Sequence, residues 1–266
     1  MAEVKFGSGQ RLDRSAMSQG KAPIRMEPSD MNLLRILGLN RSKPKSCLDN
    51  LEFEYGTHLP VLKSIVEVFQ PRGVLELGAG KFSTPLFYHQ IEKVVTVETD
   101  HKWIQQVARM LPPRDHFSLL HHSVPHLTSR TRCGAISQHT KGQCVKHYQE
   151  IMQQNPGLDF LFIDHISGLR AFTLFALYDQ FDFAVYHDAE DKGYGYEEFP
   201  RFDNGDFLHY VLRAYIPHTG FLIRKKYSRR LGEFKRVLNN NALEYFTGQY
   251  HFDLQDLADV RRPELN

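Results

Sequence analysis

The stretch that decides the fold is "RGVLELGAGKFSTPLFYH", residues 72–89. Its first part, "VLEL", is typical of a buried strand, and its last part, "PLFYH", is typical of a helix. Between them, Gly78 and Gly80 allow the backbone to turn sharply. Thr84 followed by Pro85 fits the first turn of a helix. The stretch therefore predicts a strand, a glycine turn and a helix in immediate succession.

The alternation of strand and helix continues to residue 188. Apolar runs predict strands at residues 72–77, 93–98, 116–122, 158–164 and 181–188. Helical spacing predicts helices at residues 57–71, 85–92, 101–111, 144–155 and 169–180, with a further helix at 207–215 and a late strand at 220–226. Five strands separated by helices predict an α/β fold, a doubly wound, mostly parallel Rossmann-like sheet with helices on both faces.

Composition narrows the classes of protein. The 266 residues contain 33 Lys and Arg against 31 Asp and Glu, so no overall charge draws the chain to nucleic acid or to a membrane. Three cysteines suit a reducing compartment, and no leader-like apolar segment opens the sequence, so we expect a cytoplasmic protein with no membrane partner. Residues 1–56 read as an N-terminal arm with a helical extension, and residues 57–266 as one α/β domain with a variable C-terminal region. The oligomeric state stays open.

The glycine turn and a second acid predict a nucleoside-binding site. In open α/β sheets, ligands lie outside the carboxyl ends of the strands. The turn at Gly78 lies at such an end, and Glu98 ends the next strand twenty residues later. A carboxylate there can accept hydrogen bonds from both hydroxyls of a ribose. We therefore expect a nucleoside derivative as ligand.

The glycine spacing argues against a dinucleotide. A dinucleotide fold requires G-x-G-x-x-G, but the third position is Ser83, and Glu76 would crowd a pyrophosphate. S-adenosylmethionine has no phosphate, and Glu76 could receive its amino group. An NAD(P)-dependent oxidoreductase and a noncatalytic nucleotide-binding protein of the same fold remain as alternatives.

Three segments carry a family resemblance. "VLELGAGKFST", "VVTVETD" and "LDFLFIDH" resemble the first, second and fourth strand motifs of class I S-adenosylmethionine-dependent methyltransferases, over about residues 57–190. The resemblance implies a methyltransferase-like domain with S-adenosylmethionine as cofactor. It implies cofactor contacts from Glu76, Gly78, Ala79, Gly80, Ser83, Glu98, His122 and Asp164. "LDFLFIDH" is further similar to catechol-type O-methyltransferases, which implies in-line O-methylation of a small-molecule acceptor or a glycan- or nucleotide-like one.

Acidic and imidazole groups at adjacent strand ends are the candidate catalytic residues: His187, Asp188 and Asp164. His187 is the predicted general base, because imidazole titrates near neutrality. The alternative is that strand alternation turns His187 into the helix layer as a hydrogen-bonded polar residue. Arg170 is predicted to pair with an acid at this site or to lie exposed on a helix.

A metal is the competing mechanism. Asp164 and Asp188 could hold magnesium, but the catechol-type pattern places a third ligand where this chain has Ala189 and a lysine near Ser167. A divalent metal is therefore possible but disfavoured, unless Glu190 substitutes as the third ligand. A zinc site at Cys133, His139, Cys144 and His147 lacks the paired C-x2-C spacing and is also disfavoured.

The segment "DKGYGYEEF", residues 191–199, is the candidate substrate lid. Its glycines favour mobility and its aromatic side chains offer stacking surface, although an ordinary packed loop explains the same composition.

Overall fold

The computed structural model describes residues 56–196, 205–213, 217–246 and 257–259. The predicted arm, apart from its last residue, lies outside the described residues, and the boundary between arm and domain stays a prediction. The helices are α1 (Leu59–Phe69), α2 (Ser83–Gln90), α3 (His101–Met110), α4 (Gln138–Gln154), α5 (Arg170–Leu177) and α6 (Leu231–Phe246). Within the described ranges, no helix is both long and apolar enough to cross a membrane.

The strands are β1 (Gly73–Leu77), β2 (Lys93–Glu98), β3 (Phe117–His121), β4 (Phe160–Ile163), β5 (Phe183–His187), β6 (Phe207–Leu212), β7 (Thr219–Arg224) and β8 (Leu257–Asp259). They form one sheet in the order β3-β2-β1-β4-β5-β7-β6-β8. β1 to β5 are parallel, and β7 runs antiparallel to β5 and β6. The predicted doubly wound, mostly parallel fold is confirmed. The order reverses between β1 and β4, which is where such sheets bind ligands.

The predicted helix at 207–215 is wrong, because Phe207–Leu212 forms strand β6. β6 pairs with β7 on one side and with β8 on the other. Short apolar runs fit both the helical and the strand period, and here hydrogen bonding to two neighbouring strands decides the outcome. The late strand predicted at 220–226 is confirmed as β7.

Side chains alternate between two apolar layers, one on each face of the sheet. Val74 of β1 packs in the layer that contains α1, α2 and α6, whereas Leu75 and Leu77 pack in the layer that contains α4 and α5. The same alternation directs Glu76 toward the first layer. His187 at the end of β5 follows Phe183 and Val185, which also belong to the first layer.

Candidate cofactor and catalytic site

The glycine turn joins the end of β1 to the end of β4. Gly78 has φ +98°, and a Cβ on it would lie 2.4 Å from the backbone oxygen of Asp164. The structure therefore explains this glycine by close packing of two strand ends rather than by approach of a ligand. The amide of Gly80 donates to Thr84 Oγ1 at 2.8 Å. Helix α2 begins at Ser83, so Thr84 holds the turn from inside the helix instead of capping it.

Glu98 connects the same turn to the tip of β2. Its Oε2 accepts from the amide of Ala79 at 2.9 Å, and its Oε1 accepts from the amides of Thr99 at 2.6 Å and Asp100 at 2.7 Å. Burial raises the pKa of Glu98, while these three amides lower it. Each carboxylate oxygen accepts about two hydrogen bonds, so Oε2 retains one acceptor position.

Glu76 lies fully buried beneath the turn. Its Oε2 accepts from Thr96 Oγ1 at 2.7 Å, and its Oε1 has no partner of hydrogen-bonding geometry among the residues described. Burial raises the pKa of Glu76 to about 7, although the hydroxyls of Ser83, Thr96 and Thr84 act in the opposite direction. The site thus contains a buried carboxyl with one unused acceptor.

Arg170 ties the ends of β4 and β5 together. Its Nη2 lies 2.7 Å from Asp164 Oδ1 and its Nη1 lies 2.5 Å from Asp188 Oδ2. Its Nε donates to the carbonyl of His165 at 2.8 Å. The predicted pairing of Arg170 with an acid is confirmed, and it involves both candidate catalytic carboxylates. Asp188 adopts φ +57°, a left-handed conformation that is uncommon for a residue other than glycine.

His187 is buried at the end of β5, and polar groups face both of its ring nitrogens. The Thr57 hydroxyl donates to the carbonyl of Pro217 at 2.9 Å, so it accepts from His187 Nε2, which also lies 2.9 Å away. Nδ1 faces Asp164 Oδ2 at 3.4 Å and Asp188 Oδ1 at 3.7 Å. Nε2 is therefore hydrogen-bonded and Nδ1 is covered by two carboxylates at 3.4 Å or more, so neither nitrogen is open to a substrate in this conformation.

Opposite charges are paired in this group. Burial lowers the pKa of His187, but the neighbouring carboxylates raise it by more, so the net shift is upward. Burial raises the pKa of Asp164, but Arg170 and His187 outweigh burial and hold it well below its usual range. Two carboxylates thus face a guanidinium and a protonation-prone imidazole. Buried charges are tolerated when they are paired in this way.

His58 is a site residue that was not predicted from the sequence. The residue is 2% exposed, and its ring centroid lies 4.7 Å from that of His187 and 5.1 Å from that of Phe162. Neither ring nitrogen has a hydrogen-bond partner in the described part of the chain. Burial, and next the nearby His187, lower the pKa of His58 to about 3. Its position just before α1 gave no sequence signal for contact with strands that come much later in the chain.

One group of side chains in the described ranges could hold a metal ion. The ligand atoms of His58, Asp164 and His187 all lie within 4.8 Å of one another. The disfavoured zinc set does not form such a group: Lys141 Nζ contacts Cys133 Sγ at 3.1 Å, and His147 packs instead against His122.

His122, one of the predicted cofactor contacts, borders an open cleft of about 300 Å³. Its amide donates to the carbonyl of Glu98 at 2.9 Å, so the cleft adjoins the tip of β2. Burial lowers the pKa of His122 to about 4, so its ring is neutral near pH 7. The cleft is lined by His122, Ser123, Val124, Pro125, His126, Thr140, Gln143 and Cys144.

The first part of the predicted lid packs against the site. The ring of Tyr194 lies 4.7 Å from Arg170 Cζ, and the Tyr196 hydroxyl donates to the carbonyl of His187 at 3.3 Å. Residues 197–199 lie outside the described residues. Aromatic surface is therefore present beside the strand ends.

Comparison with known proteins gave likeness in structure only. No protein-family profile matches the chain, and no curated protein matches it. The methyltransferase domain of bacterial CtHen1-C is 12% identical, covering 66% of this chain and 99% of its own, at a TM-score of 0.42. N-methyltransferase NodS from Bradyrhizobium japonicum WM9 is 12% identical. The match covers 66% of this chain and 97% of NodS, with a TM-score of 0.40. A dimethyladenosine transferase from Plasmodium falciparum is 15% identical. The match covers 70% of this chain and 68% of the transferase, with a TM-score of 0.36.

Proposed function

We propose that this chain is an S-adenosylmethionine-dependent methyltransferase that binds its cofactor at the carboxyl ends of β1 and β2. The observation that supports this most is the hydrogen bond from the amide of Ala79 to Glu98, with the buried carboxyl of Glu76 beneath the same turn. Two carboxyl groups at one turn repel a diphosphate. They suit a nucleoside that carries positive charge and no phosphate.

The residues present fit such a cofactor. Glu98 Oε2 keeps one acceptor position for a ribose hydroxyl, and Glu76 Oε1 is an unused acceptor near the place of an amino group. The cleft beside His122 would take the adenine, and Asp164 would close the site from β4. When bound, S-adenosylmethionine supplies an electrophilic methyl group on a sulfonium.

The acceptor is proposed to be a hydroxyl of a small molecule, or of a glycan- or nucleotide-like compound. In-line transfer requires chiefly that the acceptor be aligned and its proton removed. Tyr194 and Tyr196 would support the acceptor beside the strand ends, and Asp164, His187 and Asp188 would interact with its proton. The general-base role of His187 stays a prediction, since Thr57 and the two carboxylates occupy its nitrogens.

A second candidate is a noncatalytic adenosine-binding protein. The engagement of both His187 nitrogens favours it, because a base needs a free nitrogen in reach of its substrate.

Cofactor binding is tested first, by calorimetry with S-adenosylmethionine and NADH. We expect only S-adenosylmethionine to bind. In Glu98→Gln the side-chain NH2 group would face a backbone N–H that now donates to Glu98. We expect this variant to bind S-adenosylmethionine roughly 5- to 150-fold more weakly, a loss of about 1 to 3 kcal/mol. Glu92→Gln, on the exposed end of the loop before β2, is the matched control and should leave the dissociation constant unchanged. An unchanged affinity in Glu98→Gln would remove the ribose role.

Methyl transfer from labelled cofactor to phenols, sugars and RNA then separates the two candidates. Transfer by the wild type, lost in His187→Gln with cofactor affinity intact, supports the enzyme. Cofactor binding without transfer to any acceptor class supports the noncatalytic protein.

A further inference from the structure

Three metal-ligating side chains meet beside the proposed cofactor site. His58 precedes α1, Asp164 follows β4 and His187 ends β5, and their ligand atoms lie within 4.8 Å of one another. We call these three residues the imidazole–carboxylate cluster. Two of them are buried and the third is partly exposed.

One pair of atoms in the cluster has the spacing of two ligands around one ion. His187 Nδ1 and Asp164 Oδ2 are 3.4 Å apart, whereas a charge-assisted N–H···O bond is about 2.7 to 2.9 Å long. Metal bonds of about 2.1 Å in tetrahedral geometry place neighbouring ligand atoms about 3.4 Å apart. The separation is long for a hydrogen bond and has the right length for a coordination edge.

Neighbouring residues orient the ligand atoms of the cluster. His187 Nε2 donates to Thr57 Oγ1, which leaves Nδ1 directed at Asp164. Arg170 forms an ion pair with Oδ1 of Asp164, so Oδ2 of the same carboxylate faces His187. Metal-binding histidines usually donate their second ring N–H to such a partner, which fixes the tautomer and the ring orientation.

His58 supplies an independent observation. It is almost wholly buried, and both of its ring nitrogens lack a partner within the described ranges. A buried polar group left without a partner costs about 1 to 3 kcal/mol. If the ring only filled space against Phe162, a phenyl ring would serve as well and avoid that cost. Coordination of an ion gives one of these nitrogens a function.

We propose that the imidazole–carboxylate cluster binds one divalent transition-metal ion of the Zn²⁺ class. Two imidazoles and one carboxylate are typical of zinc and iron sites, whereas magnesium prefers oxygen ligands alone. The side chain of Asp164 is 24% exposed, which provides an entry path and leaves a coordination position open toward the strand ends. From the sequence a metal was disfavoured because the third ligand of the catechol-type pattern is absent at Ala189, and no sequence signal placed His58 beside Asp164 and His187. The ion would share Asp164 and His187 with the proposed catalytic group, but its binding is measured directly and does not depend on methyl transfer.

The experiment uses the untagged 266-residue chain, stripped with a chelator and dialysed. Zn²⁺ binding is measured by competition with a chromophoric chelator, and Co²⁺ absorption reports the coordination number. We expect one Zn²⁺ per chain and a low-coordinate Co²⁺ spectrum. His58→Phe keeps a ring of similar size and should fold, as checked by circular dichroism, yet bind Zn²⁺ more than about 100-fold more weakly, a larger loss than changes in outer-shell residues cause.

His165→Phe is the matched control. His165 is also buried and both of its nitrogens also lack partners among the described residues, but its ring packs against Tyr148 on the other face of the sheet. We expect its Zn²⁺ affinity to stay within about threefold of the wild type, since outer-shell effects start near tenfold. A wild type that binds no Zn²⁺, or a His58→Phe variant that binds it as tightly as the wild type, would overturn the proposal.

Discussion

Glu76 is the residue at which stability and the proposed function conflict most clearly. A carboxyl in the middle of a parallel sheet loses its hydration, and only Thr96 gives it a well-formed hydrogen bond. An apolar residue here would pack with Phe162 and Phe87, which line the same layer. Retaining the acid therefore lowers the stability of the free protein, a pattern typical of positions kept for binding.

This conflict predicts a pH dependence of stability. The pKa of Glu76 is raised from 4.5 to about 7, so the folded chain holds a proton that the unfolded chain has released between these values. Stability should fall as pH rises through that window and level off above it, with an upper limit of about 3 kcal/mol. Glu76→Gln has no titrating carboxyl at this position and should not show this loss. The free energy of unfolding of the variant relative to the wild type should therefore rise with pH, and should be larger at pH 8 than at pH 4.5.

Urea denaturation at pH 4.5 and pH 8 measures the difference in free energy of unfolding between Glu76→Gln and the wild type. The control is Glu92→Gln, at an exposed position. If the Glu76→Gln and wild-type stabilities run parallel across the window, the buried carboxyl does not titrate as described.

At the scale of the elements, contacts between strand ends position the site. β1 and β4 pair in parallel, and the turn after β1 presses against the backbone that follows β4. Arg170, at the start of α5, then joins the residues that follow β4 and β5. Because parallel strands end at the same edge of the sheet, three chain segments far apart in sequence present their polar side chains together.

Gly78→Ala tests the contact between the turn after β1 and the backbone that follows β4. The variant combines a strained positive φ with a Cβ 2.4 Å from the oxygen of Asp164, so we expect a loss of about 2 to 6 kcal/mol in the free energy of unfolding. Gly157→Ala is the control: its φ is +90° but no atom lies within 4 Å of the added Cβ, so backbone strain alone should cost about 1 to 3 kcal/mol. Equal losses in chemical denaturation would show that the strand ends are not in close contact.

The elements also show what the sequence can predict. β1 to β5 were predictable because strands buried on both faces read as continuous apolar runs. β6 was not, since its short apolar run fits a helix as well. α4 begins at Gln138, six residues before its predicted start at 144, because Ser137 caps it by accepting from the amide of Thr140.

At the scale of the whole molecule, α1 and α6 come from opposite ends of the described domain and pack on the same face of the sheet. The rings of Phe69 and Phe234 stack at 5.5 Å, and Asn241 donates to Ser64 Oγ at 3.0 Å. Thr57 and His58 immediately precede α1, so this packing supports their position against the strand ends. No local pattern encodes such pairing between distant segments, which is why the cofactor turn was predictable and the role of His58 was not.

Phe234→Ala tests whether this distant pairing belongs to the same cooperative unit as the sheet. Phe234 is 1% exposed and packs against Phe69 and Phe221, so its truncation should cost about 3 to 5 kcal/mol. Met110→Ala, at the exposed end of α3, should change stability by less than about 0.5 kcal/mol. Since α1, α6 and the sheet share one apolar layer, we expect a single urea transition with a lower midpoint and an unchanged slope. A second transition, with α6 unfolding before the sheet, would show instead that the helix pair is a separate unit and that the site depends on it only weakly.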